Sequence, residues 1–440
     1  MTPRLAAFET LLRCEKEKQY SNIAINQTIK KYAFEKRDRD FYTQLVYGVV
    51  ERKLTLDYLI SQYTQKSIQR LDLSVVIILR LSLYQIHFLT KIPDNAAVSE
   101  GVKLASRFAA RTKGYVNAIL RKACQNDIFS LTCPNDTSPR ALSIQYSINR
   151  ELIRLLSEQY PTRYIDFLKD FFTIPQTAFQ VNSLNTSPEE FIANHNLTAH
   201  SVKDLPFSVK MQESCSLSDT TFLDTNEAFV QDIASQLTAI YLDPLPSDRI
   251  IDVCACPGGK SFAAANFMCS RGPVTGQIIS CDLHESKLPL IEKGAQRLGY
   301  SFITTVCHDA TKPIEKYREY ADKVICDVPC SGLGVISKKP EIRYKEMNEI
   351  DKLPEVQRKI LETASTYVKT GGTLLYSTCT INKKENEEVI LDFLKHHPEF
   401  ALSTISPPED PSWSFDMDVG ITLFPSSMHD GFYMVKLIKK

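Results

Sequence analysis

Apolar residues in the first 125 positions recur at intervals of three and four residues, as they do along one face of an α-helix. The spacing is clearest in three stretches, 5–12, 41–50 and 98–105. Prolines are scarce, strand-like alternation is absent, and Pro93-Asp94 predicts a turn before a further helix. The pattern predicts an all-α bundle over residues 1–128.

The next hundred residues show mixed patterns. The polar run NDIFSLTCPNDTSPR at 126–140 predicts a linker. Residues 141–235 then combine helical spacing with strand-like TAFQVNSL, a helix start at Ser187-Pro188, and further strands between Val202 and Met211. We expect a small α+β linking module over residues 141–235.

From residue 236 onward, short apolar runs alternate with segments of helical length. The expected strands are 250–254, 277–281, 302–306, 322–327 and 372–377, and a hairpin is expected at 420–438. Such βα alternation is typical of a doubly wound, mostly parallel sheet, here with an antiparallel edge. The chain is therefore predicted to carry a Rossmann-like α/β domain over 236–440.

One stretch of this domain, IIDVCACPGGKS at 250–261, predicts a ligand-binding turn. An apolar strand runs through Pro257-Gly258-Gly259 into a helix. Glycines let a ligand approach the backbone, and a helix N-terminus favours negative charge. The next strand ends at Asp282, an acid placed to reach a ribose hydroxyl. Neither GxGxxG nor a Walker loop is present, and a plain helix start is the alternative for the turn taken alone.

Two cysteines end neighbouring strands. Asp327 and Cys330 follow the strand ADKVIC, and Cys379 ends GGTLLYSTC. The carboxyl ends of parallel strands meet at one cleft. A metal site would need more ligands than this pair, and a disulfide is unusual in the cytosol. Nucleophilic catalysis fits better, with Asp327 supplying hydrogen bonding or proton chemistry. A structural role remains the alternative for either cysteine taken alone, and spacing does not say which one attacks.

Composition limits the class of protein. The 440 residues, 43% hydrophobic and 24% charged, are typical of a soluble globular protein with two or three domains. The N-terminus lacks the apolar region of a signal peptide. The most apolar run, Leu73–Leu89, is interrupted by Arg80 and His87 and is too short to span a bilayer. Twelve scattered cysteines without CxxC pairs indicate free thiols in a reducing cytoplasm.

The distribution of charge along the chain indicates a binding partner. The formal net charge is zero, but residues 1–125 hold 21 basic and 11 acidic side chains, and the remainder carries the opposite excess. A basic first domain predicts an anionic partner such as nucleic acid, with solvated lysines on an ordinary helical domain as the alternative. The residues expected to face RNA are Lys103, Arg107, Arg111, Lys113, Arg121 and Lys122.

The motifs IDVCACPGGKS, CDLH, HDA, DVPCSG and YSTCT, in this order, resemble those of the RNA 5-methylcytosine methyltransferases. The basic helical start resembles the fold of the antitermination factor NusB. Together with RLAAFETLL, LVYGVVERK and the ending DGFYMVKLIKK, nearly the whole chain is similar to the branch that acts on small-subunit ribosomal RNA. The resemblance implies methylation of cytosine C5 in small-subunit rRNA. Separately, we expect a monomer that holds no metal.

The resemblance also implies roles for individual residues. Asp282 would bind the ribose of S-adenosylmethionine, Asp309 its adenine, and Asp327 would lie near the sulfonium and the target base. Cys379 would attack cytosine C6, and Cys330 would assist removal of the C5 proton and release of the product. The residues expected to hold the methionine part of the cofactor are Cys254, Ala255, Cys256, Pro257, Gly258, Gly259 and Lys260.

Several expectations remain open at this point. Gln180 stands where the family often has an arginine, which puts one RNA or phosphate contact in doubt. Glu385-Asn386-Glu387 is interpreted as the charge complement of a helix N-terminus rather than as chemistry. The alternatives are the same chemistry on tRNA or another RNA, and an RNA-binding assembly factor whose catalytic half is vestigial. A dinucleotide oxidoreductase is disfavoured by the missing GxGxxG.

Overall fold

The computed structural model describes residues 1–64, 67–126, 136–212 and 220–440, which form two compact units. The first unit comprises residues 1–168 and 338–347, and the second comprises residues 169–337 and 348–440. Most of the predicted linker, residues 127–135, lies outside the described residues.

The first unit is helical, as the apolar spacing predicts. Its helices are α1 Pro3–Glu17, α2 Ser21–Tyr32, α3 Lys36–Glu51, α4 Lys53–Thr64, α5 Leu73–Phe88, α6 Asp94–Phe108, α7 Lys113–Ala123, α8 Pro139–Tyr146 and α9 Arg150–Gln159. A further helix, α10 at Tyr164–Asp170, spans the boundary between the units.

Helix α5 forms the centre of the first unit. Asp72 caps its N-terminus by accepting a hydrogen bond from Ser74 N, and the helix is buried continuously from Val75 to Gln85. An apolar helix of this length surrounded by other helices is a core element. The single charge inside it, Arg80, is neutralised by Asp57 and Glu15 at 2.6 and 2.7 Å. In the described ranges, no helix combines the length and apolarity needed to cross a membrane.

Residues 338–347 belong to the first unit, although they lie within the span predicted for the α/β domain. Arg343 is fully buried there, and its Nη1 donates to the carbonyl of Tyr146 at 3.0 Å. The Tyr344 hydroxyl donates to the carbonyls of Val50 and Glu51 at 2.6 and 3.0 Å. Buried polar contacts, which the hydrophobic pattern does not record, hold this segment in place.

The compact units also divide the predicted linking module of 141–235. Helices α8 and α9 lie in the first unit, where Thr55 Oγ1 donates to the carbonyl of Ile144 at 2.5 Å. The remainder of the module lies in the second unit and contains a four-stranded antiparallel sheet in the order β2-β3-β1-β4. Its elements are β1 Ala178–Val181, α11 Pro188–Asn194, β2 Ala199–Val202, β3 Leu205–Met211 and β4 Ala228–Val230.

The main sheet of the second unit has nine strands. The helices around it are α12 Ile233–Leu242, α13 Gly259–Ser270, α14 Leu288–Leu298, α15 Met347–Ile350, α16 Leu353–Tyr367 and α17 Glu387–His396. The strands are β5 Arg249–Asp252, β6 Gln277–Asp282, β7 Ile303–Cys307, β8 Ala321–Asp327, β9 Val368–Thr378, β10 Phe400–Leu402, β11 Phe415–Asp418, β12 Gly420–Leu423 and β13 Phe432–Lys439.

The strand order is β11-β12-β13-β9-β8-β5-β6-β7, with β10 also paired to β13. Strands β5 to β9 pair in parallel, and β10 to β13 form the predicted antiparallel edge. Central strands such as β5 are buried on both faces, because helices cover both sides of a doubly wound sheet. The carboxyl ends of β5, β6, β7, β8 and β9 therefore lie along one edge of the sheet.

Candidate active site

The turn after β5 has the geometry of a ligand cradle. Gly258 adopts φ +109°, and a Cβ there would lie 2.4 Å from the Phe262 ring. Only glycine fits that position without strain. Helix α13 begins at Gly259, so its free amide groups face the turn. Anionic or polar ligand groups bind well at such a helix N-terminus.

Two acids from the neighbouring strands lie beside this turn. Asp282, at the end of β6, accepts hydrogen bonds from Cys256 N at 3.3 Å and His284 N at 3.0 Å. His308 N donates to the Asp282 carbonyl, which places Asp309 next to the end of β6. Hydrogen bonds from Thr311 and then Lys312 lower the pKa of Asp309 to about 2. Both carboxylates are thus held at the carboxyl edge of the sheet, and that of Asp282 contacts the turn.

Lys260 links the turn to the strand that carries the first cysteine. Its Nζ lies 2.5 Å from Asp327 Oδ2, while Ser377 Oγ donates to Asp327 Oδ1 at 2.8 Å. Burial acts to lower the pKa of Lys260, but the Asp327 carboxylate outweighs it, so the pKa stands above its ordinary value. Lys260 therefore presents a permanent positive charge between the turn and Asp327 at the end of β8. Sequence reasoning had not included Ser377.

The two predicted cysteines meet. Cys330 Sγ and Cys379 Sγ are 3.2 Å apart, and both cysteines are in the reduced thiol form. Gly334 N donates to the Cys379 carbonyl at 3.0 Å, and the Ser331 and Thr380 hydroxyls are 2.7 Å apart. These contacts fix the two strand-end loops against each other. The hydrogen bond with Cys379, followed by burial, raises the pKa of Cys330 well above its usual value.

Two further acids of the site were not among the predicted site residues. Asp252 is fully buried at the end of β5, where Ser261 Oγ donates to its Oδ2 at 2.7 Å and burial raises its pKa to about 7. Its position at a strand end was a signal that could have identified it. Glu385 is also fully buried, and its carboxylate accepts from Ser331 N rather than complementing a helix N-terminus. Helix α17 begins two residues later, at Glu387.

The six basic residues predicted to face RNA are all exposed, on or next to α6 and α7. Three of them, Lys103, Lys113 and Arg121, line a cleft of about 710 Å³ between these helices. The cleft has an apolar wall at Val98 and Val102. The other three, Arg107, Arg111 and Lys122, do not line it. The structure therefore divides the predicted basic cluster into two equal sets.

Two other expectations concern ligands. Within the described ranges, no group of three or more histidine, cysteine or acidic side chains has the arrangement of a metal site. Gln180 lies in β1 and is 1% exposed, so its side chain does not reach the surface. An RNA phosphate contact at that position would require this part of the small sheet to open.

Comparisons with known proteins match both parts of the chain. A family model described as 16S rRNA methyltransferase RsmB/F matches residues 239–438, and one described as NusB family matches residues 1–125. The chain is 33% identical, over 443 residues, to the probable ribosomal RNA small subunit methyltransferase B of Bacillus subtilis, covering 99% of this chain and 98% of that protein. It is 32% identical over 451 residues to a Synechocystis protein of the same name, with full coverage of both.

Solved structures show the same fold. The crystal structure of PH0851 superposes with a TM-score of 0.83 at 25% identity, covering 100% of this chain and 99% of that one. The structure of NSun6 from Pyrococcus horikoshii with SFG gives a TM-score of 0.57 at 20% identity, covering 66% of this chain and 98% of that one. The predicted α-helical start and Rossmann-like sheet are confirmed. This chain therefore belongs to the family of ribosomal RNA small subunit methyltransferase B, with a NusB-family domain at residues 1–125.

Proposed function

We propose that this enzyme methylates C5 of a cytosine in small-subunit rRNA, through a covalent bond between Cys379 and C6 of the base. One observation supports this above all others. Two reduced cysteines lie 3.2 Å apart at the carboxyl edge of the sheet, next to an Asp327–Lys260 pair and a glycine turn. This combination provides a nucleophile, a second sulfur for product release and a ligand cradle.

The cradle suits S-adenosylmethionine. Residues 254–260 would hold its methionine part against the start of α13, Asp282 its ribose hydroxyls and Asp309 its adenine. The bound cofactor would supply an electrophilic methyl group. Residues of the chain would position the base. Lys260, in the cradle, pairs with Asp327 beside the cysteines, so these two side chains can hold a base between the cofactor and the thiols.

The chemistry needs a thiolate because C5 of free cytosine is a poor nucleophile. Addition of Cys379 to C6 breaks the aromaticity of the ring and makes C5 nucleophilic, so one difficult step becomes two easier ones. Asp327 lies beside Lys260 and Ser377, where it can hydrogen-bond the base. Once Cys330 has lost its own proton, its thiolate would accept the C5 proton, and the electrons of the C5–H bond would restore the ring double bond and expel the Cys379 thiolate. The target must first leave its base stack.

The cleft between α6 and α7 supports an RNA partner. Its three exposed basic side chains, Lys103, Lys113 and Arg121, can neutralise phosphates, and Val98 and Val102 offer an apolar surface to a base. We therefore assign RNA binding to these three residues and a weaker, long-range role to Arg107, Arg111 and Lys122. Cysteine chemistry of this kind requires reduced thiols, which favours a cytoplasmic enzyme, and we expect it to act as a monomer.

The experiment incubates wild type, Cys379→Ala and Cys330→Ala with labelled S-adenosylmethionine and deproteinised small-subunit rRNA, followed by denaturing gels. We expect no methylation and no protein–RNA adduct from Cys379→Ala, and an adduct that turns over slowly from Cys330→Ala. Cys269→Ala is the matched control, because this cysteine lies near the C-terminal end of α13 and should leave both readouts unchanged.

The other outcomes discriminate the alternatives. Exchange of the two phenotypes would reverse the roles of the cysteines. A wild type that S-adenosylmethionine protects from thermal unfolding, but that methylates only tRNA or another RNA, would keep the chemistry and change the substrate. Absence of protection and of methylation on every RNA tested would favour an assembly factor without catalysis.

A further inference from the structure

The two thiols face different charges, and a single buried carboxylate accounts for part of the difference. Glu385 follows Cys379 by six residues and is 0% exposed. Leaving a carboxylate in a dry interior is costly unless several donors satisfy it. A buried carboxylate of this kind is therefore expected to hold the segments that supply its donors in a specific arrangement.

Three donors from three separate segments converge on this carboxylate. Ser331 N, one residue after Cys330, donates to Oε2 at 2.8 Å, and Gln357 Nε2 on α16 donates to the same oxygen at 2.9 Å. Asn382 Nδ2 donates to Oε1 at 2.8 Å. Gln357 also donates to the carbonyl of Pro329 at 2.9 Å. Both residues that flank Cys330 are thus fixed, directly or through Gln357, by Glu385.

The charges around the two sulfurs are unequal. Cys330 is faced by the carboxylates of Glu385 and Asp327, by Cys379 and by the Tyr376 hydroxyl. Cys379 interacts electrostatically with the Lys260 ammonium. The hydrogen bond with Cys379 and burial raise the pKa of Cys330, and the Glu385 charge raises it further. A negative charge disfavours a neighbouring thiolate, and a positive one favours it.

We propose that Glu385 is a positioning residue that makes the two thiols unequal: it anchors the loop carrying Cys330 and disfavours a thiolate there, so that Cys379 carries the thiolate that attacks. This inference rests on the proposed function for its consequence. The inequality itself is a property of the free enzyme and can be measured without RNA or cofactor. It supplies a physical reason for the choice between two cysteines that strand-end spacing leaves equivalent.

The experiment alkylates free wild-type and variant enzyme with iodoacetamide across a pH series, at low extent of modification, and quantifies the Cys330 and Cys379 peptides by mass spectrometry. In wild type, Cys379 should react at lower pH than Cys330. The Cys330 profile, meaning the rate of Cys330 alkylation plotted against pH, should shift to lower pH by about one unit in Glu385→Gln. At a fixed pH below the midpoint, this corresponds to roughly tenfold faster alkylation. Glu385→Asp, which keeps the charge, should restore the wild-type order.

Glu387→Gln is the matched control. Glu387 is also buried, but its Oε1 accepts from Thr422 at 3.1 Å, away from the cysteine loops, so both profiles should stay at their wild-type positions. The uncharged pair Glu385→Gln with Asn382→Ser offers a neutral hydroxyl as acceptor for the new amide. It should move the Cys330 profile in the same direction by a similar amount, which provides a test if the single variant does not fold.

A Cys330 profile that coincides with wild type in a folded Glu385→Gln enzyme, or in the folded pair, would overturn the proposal. So would an equal shift in Glu387→Gln. Because no substrate is present, these outcomes are independent of whether the RNA methylation assay succeeds.

Discussion

The site at the sheet edge and the cleft on the helical unit contain charged groups of very different character. At the sheet edge, Asp252 is fully buried, Lys260 is largely buried, and each is held at 2.5–2.7 Å by a named partner. In the cleft, Lys103, Lys113 and Arg121 are exposed, and Lys103 pairs with Glu100 three residues earlier. Buried charges interact strongly with their neighbours, whereas exposed charges are screened by water and salt.

Under the proposed function, the two regions would act on the RNA in different ways. The sheet edge has few positions for reacting atoms, and each is determined by several contacts, as catalysis by preorganised groups requires. The cleft offers charges without fixed geometry, which suits phosphate groups along a chain. Single substitutions at the sheet edge should therefore have large, specific effects, and substitutions in the cleft should have small effects that depend on salt.

The largest expected effect is that of Lys260→Met. The change leaves Asp327 without the Lys260 cation and removes a positive charge that interacts with Cys379. We expect kcat to fall by about 10²–10³-fold, as it does when one preorganised donor is removed. Radiolabel transfer under saturating RNA measures this. Lys359→Met is the control, because Lys359 on α16 pairs with Glu355 at 2.7 Å on the surface and is 59% exposed. Similar activity in both variants would contradict the contrast between the two regions.

The next effect concerns the pH dependence of stability. Burial raises the pKa of Asp252 from its ordinary value of 3.8 to about 7. Below about pH 4 the carboxyl is neutral in both the folded and the unfolded state and contributes nothing. As the pH rises toward 7, the unfolded chain loses the proton first, so the folded state is progressively destabilised, and above about pH 7 the full cost applies.

Asp252→Asn should remove this cost. The free energy of unfolding of the variant, relative to wild type, should therefore rise by roughly 2 kcal/mol between about pH 5 and pH 8 in urea titrations. Asp309→Asn is the control, because the pKa of Asp309 is shifted in the opposite direction. The pKa of Asp309 is lowered to about 2, so its carboxyl is ionised at both pH values and the difference from wild type should not change between them. A flat difference for Asp252→Asn would show that its carboxyl is already ionised at about pH 5.

The same contrast explains what the sequence could predict. Strand ends are readable from short apolar runs, so the meeting of Cys330 with Cys379 and the cradle at Gly258 were predictable from the order of elements. The role of Glu385 was not predictable from the sequence. Its burial arises because α16 and the loop after β9 pack over it, and three adjacent polar residues do not indicate such packing. Ser377 and residues 338–347 were missed for the same reason, since side-chain hydrogen bonds between distant segments have no periodicity.

The smallest effect should come from the cleft, and it separates its lining from the rest of the basic cluster. The triple variant Lys103→Ala/Lys113→Ala/Arg121→Ala should raise the KM for RNA by about tenfold with kcat nearly unchanged, and should reduce the slope of log affinity against log salt by roughly 2. Arg107→Ala/Arg111→Ala/Lys122→Ala removes the same charge outside the cleft and should change the slope by less than half as much.

Equal slopes in both variants would mean that RNA binding depends only on the net charge of this surface. A larger change in the second variant would place the RNA outside the cleft. S-adenosylmethionine binding should be the same in both, because every substituted side chain is exposed on or next to α6 and α7.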